Sequence, residues 1–138
     1  MANTVSTQFI YGAGGDETRR HVINLQGNLD TTHESAVVKI DISTFTNDNH
    51  TITTAVSVVI EKIEWSIQGI ERVSLLFDAT TDDEIITMAG SGEIDYSDVG
   101  GFADPRSTGF TGDVVLTTGD TTPPDGSYDI TIWFRTKQ

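Results

Sequence analysis

The sequence predicts an all-β chain folded as a single antiparallel β-sandwich, jelly-roll-like, of about eight strands. Three observations carry this. Apolar residues recur at every second position over several short stretches, which places them on one face of a sheet. Clusters of Gly, Asn, Asp, Ser and Pro separate those stretches. No stretch carries apolar residues at helical spacing over a dozen positions. The 138 residues fit one domain, 1–138, with residues 1–8 as a possible extended N-terminal arm.

The densest pattern runs from Ile63 to Asp83. Ile63, Trp65 and Ile67 alternate with Glu64, Ser66 and Gln68, and further on Val73, Leu75 and Phe77 alternate with Ser74, Leu76 and Asp78. Gln68-Gly69 lies at the reversal, where glycine takes positive φ freely, so the stretch predicts a β-hairpin at the centre of the core.

The remaining elements follow in order. Thr4 to Tyr11 is extended and ends in Gly12 to Glu17, a turn. His21 to Leu29 alternates weakly as a strand. Ser35 to Asp41 is strand or helix by pattern, and its β-branched residues favour strand. Phe45 to Thr54 is polar and reads as a loop. The apolar run Val56 to Ile60 suits a strand covered on both faces, or one crossing between sheets. Glu84 to Ala89 is a strand that breaks at Gly90-Ser91-Gly92 and resumes over Glu93 to Tyr96. Ser97 to Thr108 is a long loop, Thr111 to Thr118 a strand, and Pro123-Pro124 stops any ladder before the last strand. That strand is the clearest: Tyr128, Ile130, Ile132 and Phe134 on one face, Asp129, Thr131, Trp133 and Arg135 on the other.

Eight Lys and Arg against 21 Asp and Glu give a net charge of −13. Such a surface repels phosphate backbones and anionic lipids, so neither nucleic acid nor membrane is expected as a partner. The absence of cysteine excludes disulfides and Cys-based zinc sites. The first residues lack the basic and apolar regions of a signal peptide, and no apolar run approaches the length of a membrane span, which predicts synthesis in the cytoplasm and use without membrane insertion.

No motif calls for a catalyst, metal or cofactor. Asp78, Asp82, Asp83 and Glu84 crowd one loop, but D-A-T-T-D-D-E lacks the ligand spacing of an EF-hand and reads as a solvated turn. His21, His33 and His50 are scattered and read as independent surface or edge residues. Ser91 in Gly90-Ser91-Gly92 lacks the G-x-S-x-G context of a nucleophile. Gly12-Ala13-Gly14-Gly15 has Glu17 where the third glycine of a dinucleotide motif belongs. Trp65 falls on the apolar face of its strand and reads as core. Trp133 falls on the polar face of the last strand, where it either stacks on a sugar or a partner or is covered by a loop. Phe102 and Phe110 flank a Gly- and Pro-bearing loop that they either pin down or present to a neighbour.

The stretch W-S-x-x-G-x-x-x-V-S-L-L-F-D-A-T-T-D from Trp65 to Asp82 is followed by G-x-G-x-I-D-Y from Gly90 to Tyr96 and G-G-F from Gly100 to Phe102. T-G-D-V-V-L-T-T from Thr111 to Thr118 and Y-D-I-T-I-W-F-R from Tyr128 to Arg135 complete the set. Together with A-N-T-V-S-T-Q-F near the start, this pattern resembles small structural proteins of tailed-phage virions, in particular capsid decoration or cement proteins. The resemblance implies a non-enzymatic subunit on the outer capsid surface, assembled in the bacterial host cytoplasm. It implies binding to the major capsid protein of the assembled head as a homo-oligomer, dimer or trimer, without transferring any catalytic residue. A decoration subunit stabilises the shell it binds by mass action. The candidate interface residues are Val5, Phe9, Phe102, Phe110 and Trp133. The alternative is a carbohydrate- or receptor-binding module of a tail or fibre, with Trp133 or Tyr96 as stacking platform. A hydrolase built on paired carboxylates ranks last, because so many acids pair by chance.

Overall fold

The computed structural model describes residues 4–11, 20–30, 32–44, 56–119 and 124–137, with only the backbone of Phe9, Tyr11 and Thr44. Among these residues are ten strands: β1 Thr4–Tyr11, β2 Arg20–Leu29, β3 Val37–Ile40, β4 Ser57–Gln68, β5 Arg72–Phe77, β6 Asp83–Met88, β7 Ser91–Asp95, β8 Phe102–Ala103, β9 Val114–Gly119 and β10 Gly126–Lys137. Two short 3₁₀ turns, Ile42–Thr44 and Ser97–Val99, are the only helical pieces among the described residues. The predicted turn at Gly12 to Glu17 and loop at Phe45 to Thr54 lie outside the described residues.

The strands form two antiparallel sheets. The larger runs β1-β2-β10-β4-β7, with β8 pairing β4, and the smaller runs β3-β9-β5-β6. Without β1 and β8, the orders are β2-β10-β4-β7 and β3-β9-β5-β6. Among these strands the chain therefore changes sheet at every step from β2 to β10 except β5 to β6. This is the eight-strand jelly-roll wiring, with β1 added outside β2 and the two-residue β8 added on β4. The all-β sandwich predicted from the alternation is the observed fold.

The predicted central hairpin is corrected by this topology. β4 pairs with β10, β7 and β8, whereas β5 pairs with β6 and β9. The turn at Gly69 carries the chain across the sandwich, so Ile63 and Ile67 meet Val73, Leu75 and Phe77 face to face in the core. Gly69 has φ +75°, and a Cβ there would lie 2.3 Å from the Asp125 carbonyl oxygen. Ile70, between the strands, is buried and caps that end of the core.

Other boundaries also shift. The stretches on either side of Gly90 are two strands in opposite sheets, β6 and β7, not one interrupted strand. The predicted loop Ser97 to Thr108 contains β8, which pairs with Val59 and Ile60 of β4. The described part of the predicted N-terminal arm is a strand paired with β2, Thr4 opposite Asn28 and Gln8 opposite Asn24.

The run predicted to be covered on both faces is buried from Ser57 to Ile60. Beyond it, a β-bulge sets Ile60 opposite Phe134 but Lys62 opposite Trp133, leaving Glu61 as the extra residue. A bulge moves the inward set by one position. The core residues of β4 accordingly switch from Val58 and Ile60 to Ile63 and Ile67. Tyr128, Ile130, Ile132 and Phe134 of β10 fill the core, as the alternation predicts. Burying side chains such as Phe77 and Phe134 stabilises the fold by about 1.5–3 kcal/mol each.

Candidate functional site

The inward set of β10 fixes which way the other side chains point. Ser127, Asp129, Thr131, Trp133 and Arg135 stand on the outer face of the larger sheet. Register then aligns that face in rows running across the strands. One row is Thr4, Asn28, Ser127 and Gln68; the next is Ser6, Gln26, Asp129, Ser66 and Ser91; the third is Gln8, Asn24, Thr131, Glu64 and Glu93. Every member is a hydroxyl, an amide or a carboxylate. A fourth row holds Val22, Trp133, Lys62 and Asp95. Strands lie about 4.8 Å apart and same-face residues about 6.8 Å apart along a strand, so the face is a grid of hydrogen-bonding groups.

The grid is partly preorganised. Asn24 Nδ2 donates to Asp129 Oδ1 at 2.7 Å and to Thr131 Oγ1 at 3.1 Å, tying β2 to β10 and holding the carboxylate. A groove of about 470 Å³ runs over the first two rows, between Thr4 and Ser6 on one side and Ser66 and Gln68 on the other. A second depression of about 210 Å³ lies beside it, bounded by Glu64, Gly92 and Thr131, and shares Ser66 and Asp129 with the first. Both are shallow and open.

Trp133 stands half-buried at the end of the grid. The Lys62 ammonium lies 5.0 Å from its ring centroid, and Lys62 is held 3.1 Å from Glu64 and 3.6 Å from Glu93. The bond to Glu64 is the main reason the Lys62 ammonium titrates above the usual lysine range. Trp133, expected either to stack on a partner or to be covered by a loop, is an indole covered by a cation from the neighbouring strand, which a ligand must displace or share.

The five candidate interface residues are spread over β1, β8, the segment between β8 and β9, and β10. Val5 on β1 is 45 % exposed. The backbone of Phe9 pairs with Ile23, and its side chain lies outside the described residues. Phe102 folds inward against Phe77 at 5.6 Å and Tyr96 at 5.4 Å, both edge-on, so it pins the loop. The same contact holds Tyr96, half-buried, against the core rather than offering it as a platform. Phe110 is half-buried under the Arg106 guanidinium, 5.8 Å from its ring. Trp65 is only partly buried: its indole packs beside the core and donates to the Ala89 carbonyl at 3.1 Å.

The acidic loop is more structured than a solvated turn. Asp82 Oδ1 accepts from the Ala79 amide at 3.1 Å and Asp78 Oδ2 from the Thr111 hydroxyl at 2.8 Å. Asp83 Oδ2 and Asp104 Oδ2 are buried without a hydrogen-bond partner. No three His, Asp or Glu side chains converge as metal ligands among the described residues. His21 departs from its predicted surface or edge role. His21 is buried against Phe134, ring centroids 5.2 Å apart, and His33 is half-buried with Nδ1 2.9 Å from Thr118 Oγ1. His50 lies outside the described residues.

The sequence reading passed over the amides of β2. Asn24, Gln26 and Asn28 alternate with Ile23, Leu25, Gly27 and Leu29, and that spacing is the signal that three amides share a face.

The fold and this face define a jelly-roll sandwich with a polar, shallowly grooved outer sheet. No family model matches the chain, and no curated protein matches it. Two solved structures overlay on 96 % of it: a family 29 carbohydrate-binding module, over 89 % of its own chain, and a mutant of such a module made to probe ligand recognition, over 86 %. Both share 7 % identity with this chain at a TM-score of 0.39, a likeness too distant to carry any argument about function.

Proposed function

We propose that this protein is a non-catalytic binding module whose ligand is a carbohydrate chain lying across the outer face of the larger sheet. The observation that carries the reading is the grid itself: three adjacent cross-strand rows made only of hydroxyl, amide and carboxylate side chains, with a groove over the first two and a second depression reaching the third. A polyhydroxylated ligand exchanges hydrogen bonds with such a face without needing a deep pocket. The Asn24-held Asp129 supplies a charged acceptor, the stronger kind of hydrogen-bond partner. Trp133 at the grid's end gives a sugar ring an aromatic surface once Lys62 moves aside.

The charge selects the ligand. Glu64, Glu93 and Asp129 on the face, within a chain of net charge −13, disfavour sialylated and sulfated glycans, so the ligand is a neutral polysaccharide. A glycan array that includes neutral β- and α-linked oligosaccharides tests this. Binding should fall at least tenfold in Asn24→Ala and Asp129→Ala, with thermal melts showing both variants folded. An array with no neutral binder removes the reading.

The second reading is the capsid decoration subunit that the Trp65 to Arg135 motifs suggest. It is favoured by apolar residues that a sugar has no use for: Val5, Ile10, Val37 and Val38 are exposed along the ends of the two sheets. A shell repeats its sites, and a subunit that self-associates meets them with avidity. Absence of co-sedimentation with undecorated capsids would count against it.

A further inference from the structure

We propose that β1 is the pairing edge for a second copy of this chain, the two β1 strands lying antiparallel across a two-fold axis. This rests on neither reading of function.

Five strands of the larger sheet face four of the smaller. At one rim, β6 and β7 are joined by the short link Ala89-Gly90, so those two edges lie together. At the other rim the larger sheet therefore extends one strand beyond β3, and that strand is β1. Burial agrees. The inward set of β2, from His21 through Ile23, Leu25 and Gly27 to Leu29, is buried. Val5 and Thr7 of β1, opposite Gly27 and Leu25 and hence on the same face, are exposed. Among the described residues β1 pairs only with β2, and its other edge is open.

An open edge is ordinarily guarded by charge or proline. The opposite rim is guarded in this way: β6 begins Asp83-Glu84 and β7 carries Glu93 and Asp95. By contrast β1, T-V-S-T-Q-F-I-Y, has neither a charge nor a proline. Four of the five large apolar residues exposed among the described residues, Val5, Ile10, Val37 and Val38, lie on β1 and β3.

Charge picks the occupant. Two chains of net charge −13 repel wherever their acidic surfaces approach, and an uncharged strand is where they meet at least cost. A basic partner finds no carboxylate on β1 to recognise. An identical neutral strand matches it along its length, and a two-fold axis makes the contact self-complementary. The buried area is small, which makes the dimer concentration-dependent.

Sedimentation velocity across a concentration series, at low and high NaCl, tests this. The mass should move from monomer to dimer with concentration, at a lower concentration in high salt, because salt screens the repulsion between copies. Val5→Lys should stay folded by thermal melt and be monomeric throughout, and Ile10→Lys provides the same check at a second position. Val99→Lys, the same change at a 78 % exposed residue away from the rim, should leave the dimer intact. A monomer at every concentration and salt, or a dimer that survives both β1 substitutions, would overturn the proposal.

Discussion

Glu34 and Lys39 form an ion pair at 2.8 Å with both side chains buried, and the Tyr128 hydroxyl closes the cluster by donating to the other Glu34 oxygen. Burial first, and the Glu34 carboxylate after it, push the Tyr128 hydroxyl far above the usual tyrosine range, so it remains a donor. The Tyr128 ring lies over Gly27, where a Cβ would fall 2.3 Å from it, and under the Lys39 ammonium at 5.9 Å. The cluster ties the approach to β3 to the last strand, joining the two sheets near the β1 rim.

A buried ion pair stabilises little in net terms but is costly to break by halves. Lys39→Met, which strands the Glu34 carboxylate, should cost about 3–5 kcal/mol in urea unfolding. The double change Lys39→Met with Glu34→Gln should recover most of that loss. A double-mutant cycle giving simple additivity would show that the two side chains do not act as a unit.

The turn at Gly69 sets the sandwich wiring. Gly69→Ala meets both an unfavourable positive φ, about 1–2 kcal/mol, and a clash with the Asp125 carbonyl worth about 1–3 kcal/mol more. Gly90, at φ +59°, has nothing within 4 Å of a built Cβ, so Gly90→Ala should lose the first cost alone. Equal losses in the two variants, measured by denaturation, would mean that the crossing at Gly69 is looser than its geometry.

The contrast between these glycines also explains how far the sequence could be read. Alternation revealed β4, β5 and β10 because each buries one face, and that pattern is the same whether a chain turns back within a sheet or crosses to the facing one. Ile70 was the usable sign: at a hairpin tip it would sit in solvent, and only a crossing turn buries it. The bulge at Glu61 was also legible, since the apolar residues of β4 change parity there. The outer face was not, because a polar row exists only once register brings five strands side by side. Trp133 was correctly placed on that face, but its Lys62 cap comes from the neighbouring strand, and no local pattern reports it.

Asp104 gives a pH dependence with a definite sign. It is 6 % exposed; Oδ1 accepts from the Arg106 amide at 2.8 Å, and Oδ2 is buried without a partner. Burial raises its carboxyl above the usual range, and repulsion from Asp83 adds to this. The folded chain therefore holds this proton at pH values where the unfolded chain has released it. The site's stabilising contribution is full below the unfolded pKa, about 3.9, and is lost as pH rises through the higher folded value. Asp104→Asn keeps the acceptor for Arg106 and removes the charge. It should stabilise the protein at pH 7 by about 1 kcal/mol, with the gain shrinking toward pH 4. A gain independent of pH would assign the effect to something other than this carboxyl.

Lys62 decides whether Trp133 is available to a ligand. The ammonium covers the indole and is itself drawn toward Glu64 and Glu93 on the same face. Lys62→Ala should leave the melting temperature nearly unchanged, since Lys62 is solvated and its ion pairs are screened. In a Trp65→Phe background, where Trp133 is the remaining tryptophan, it should shift indole emission to the red by admitting water to the ring. If carbohydrate stacks on Trp133, the same change should tighten binding several-fold, and Trp133→Ala should abolish it. Binding that is indifferent to both substitutions would confine the ligand to the Asn24–Asp129 end of the grid and leave Trp133 with the structural task of anchoring Lys62.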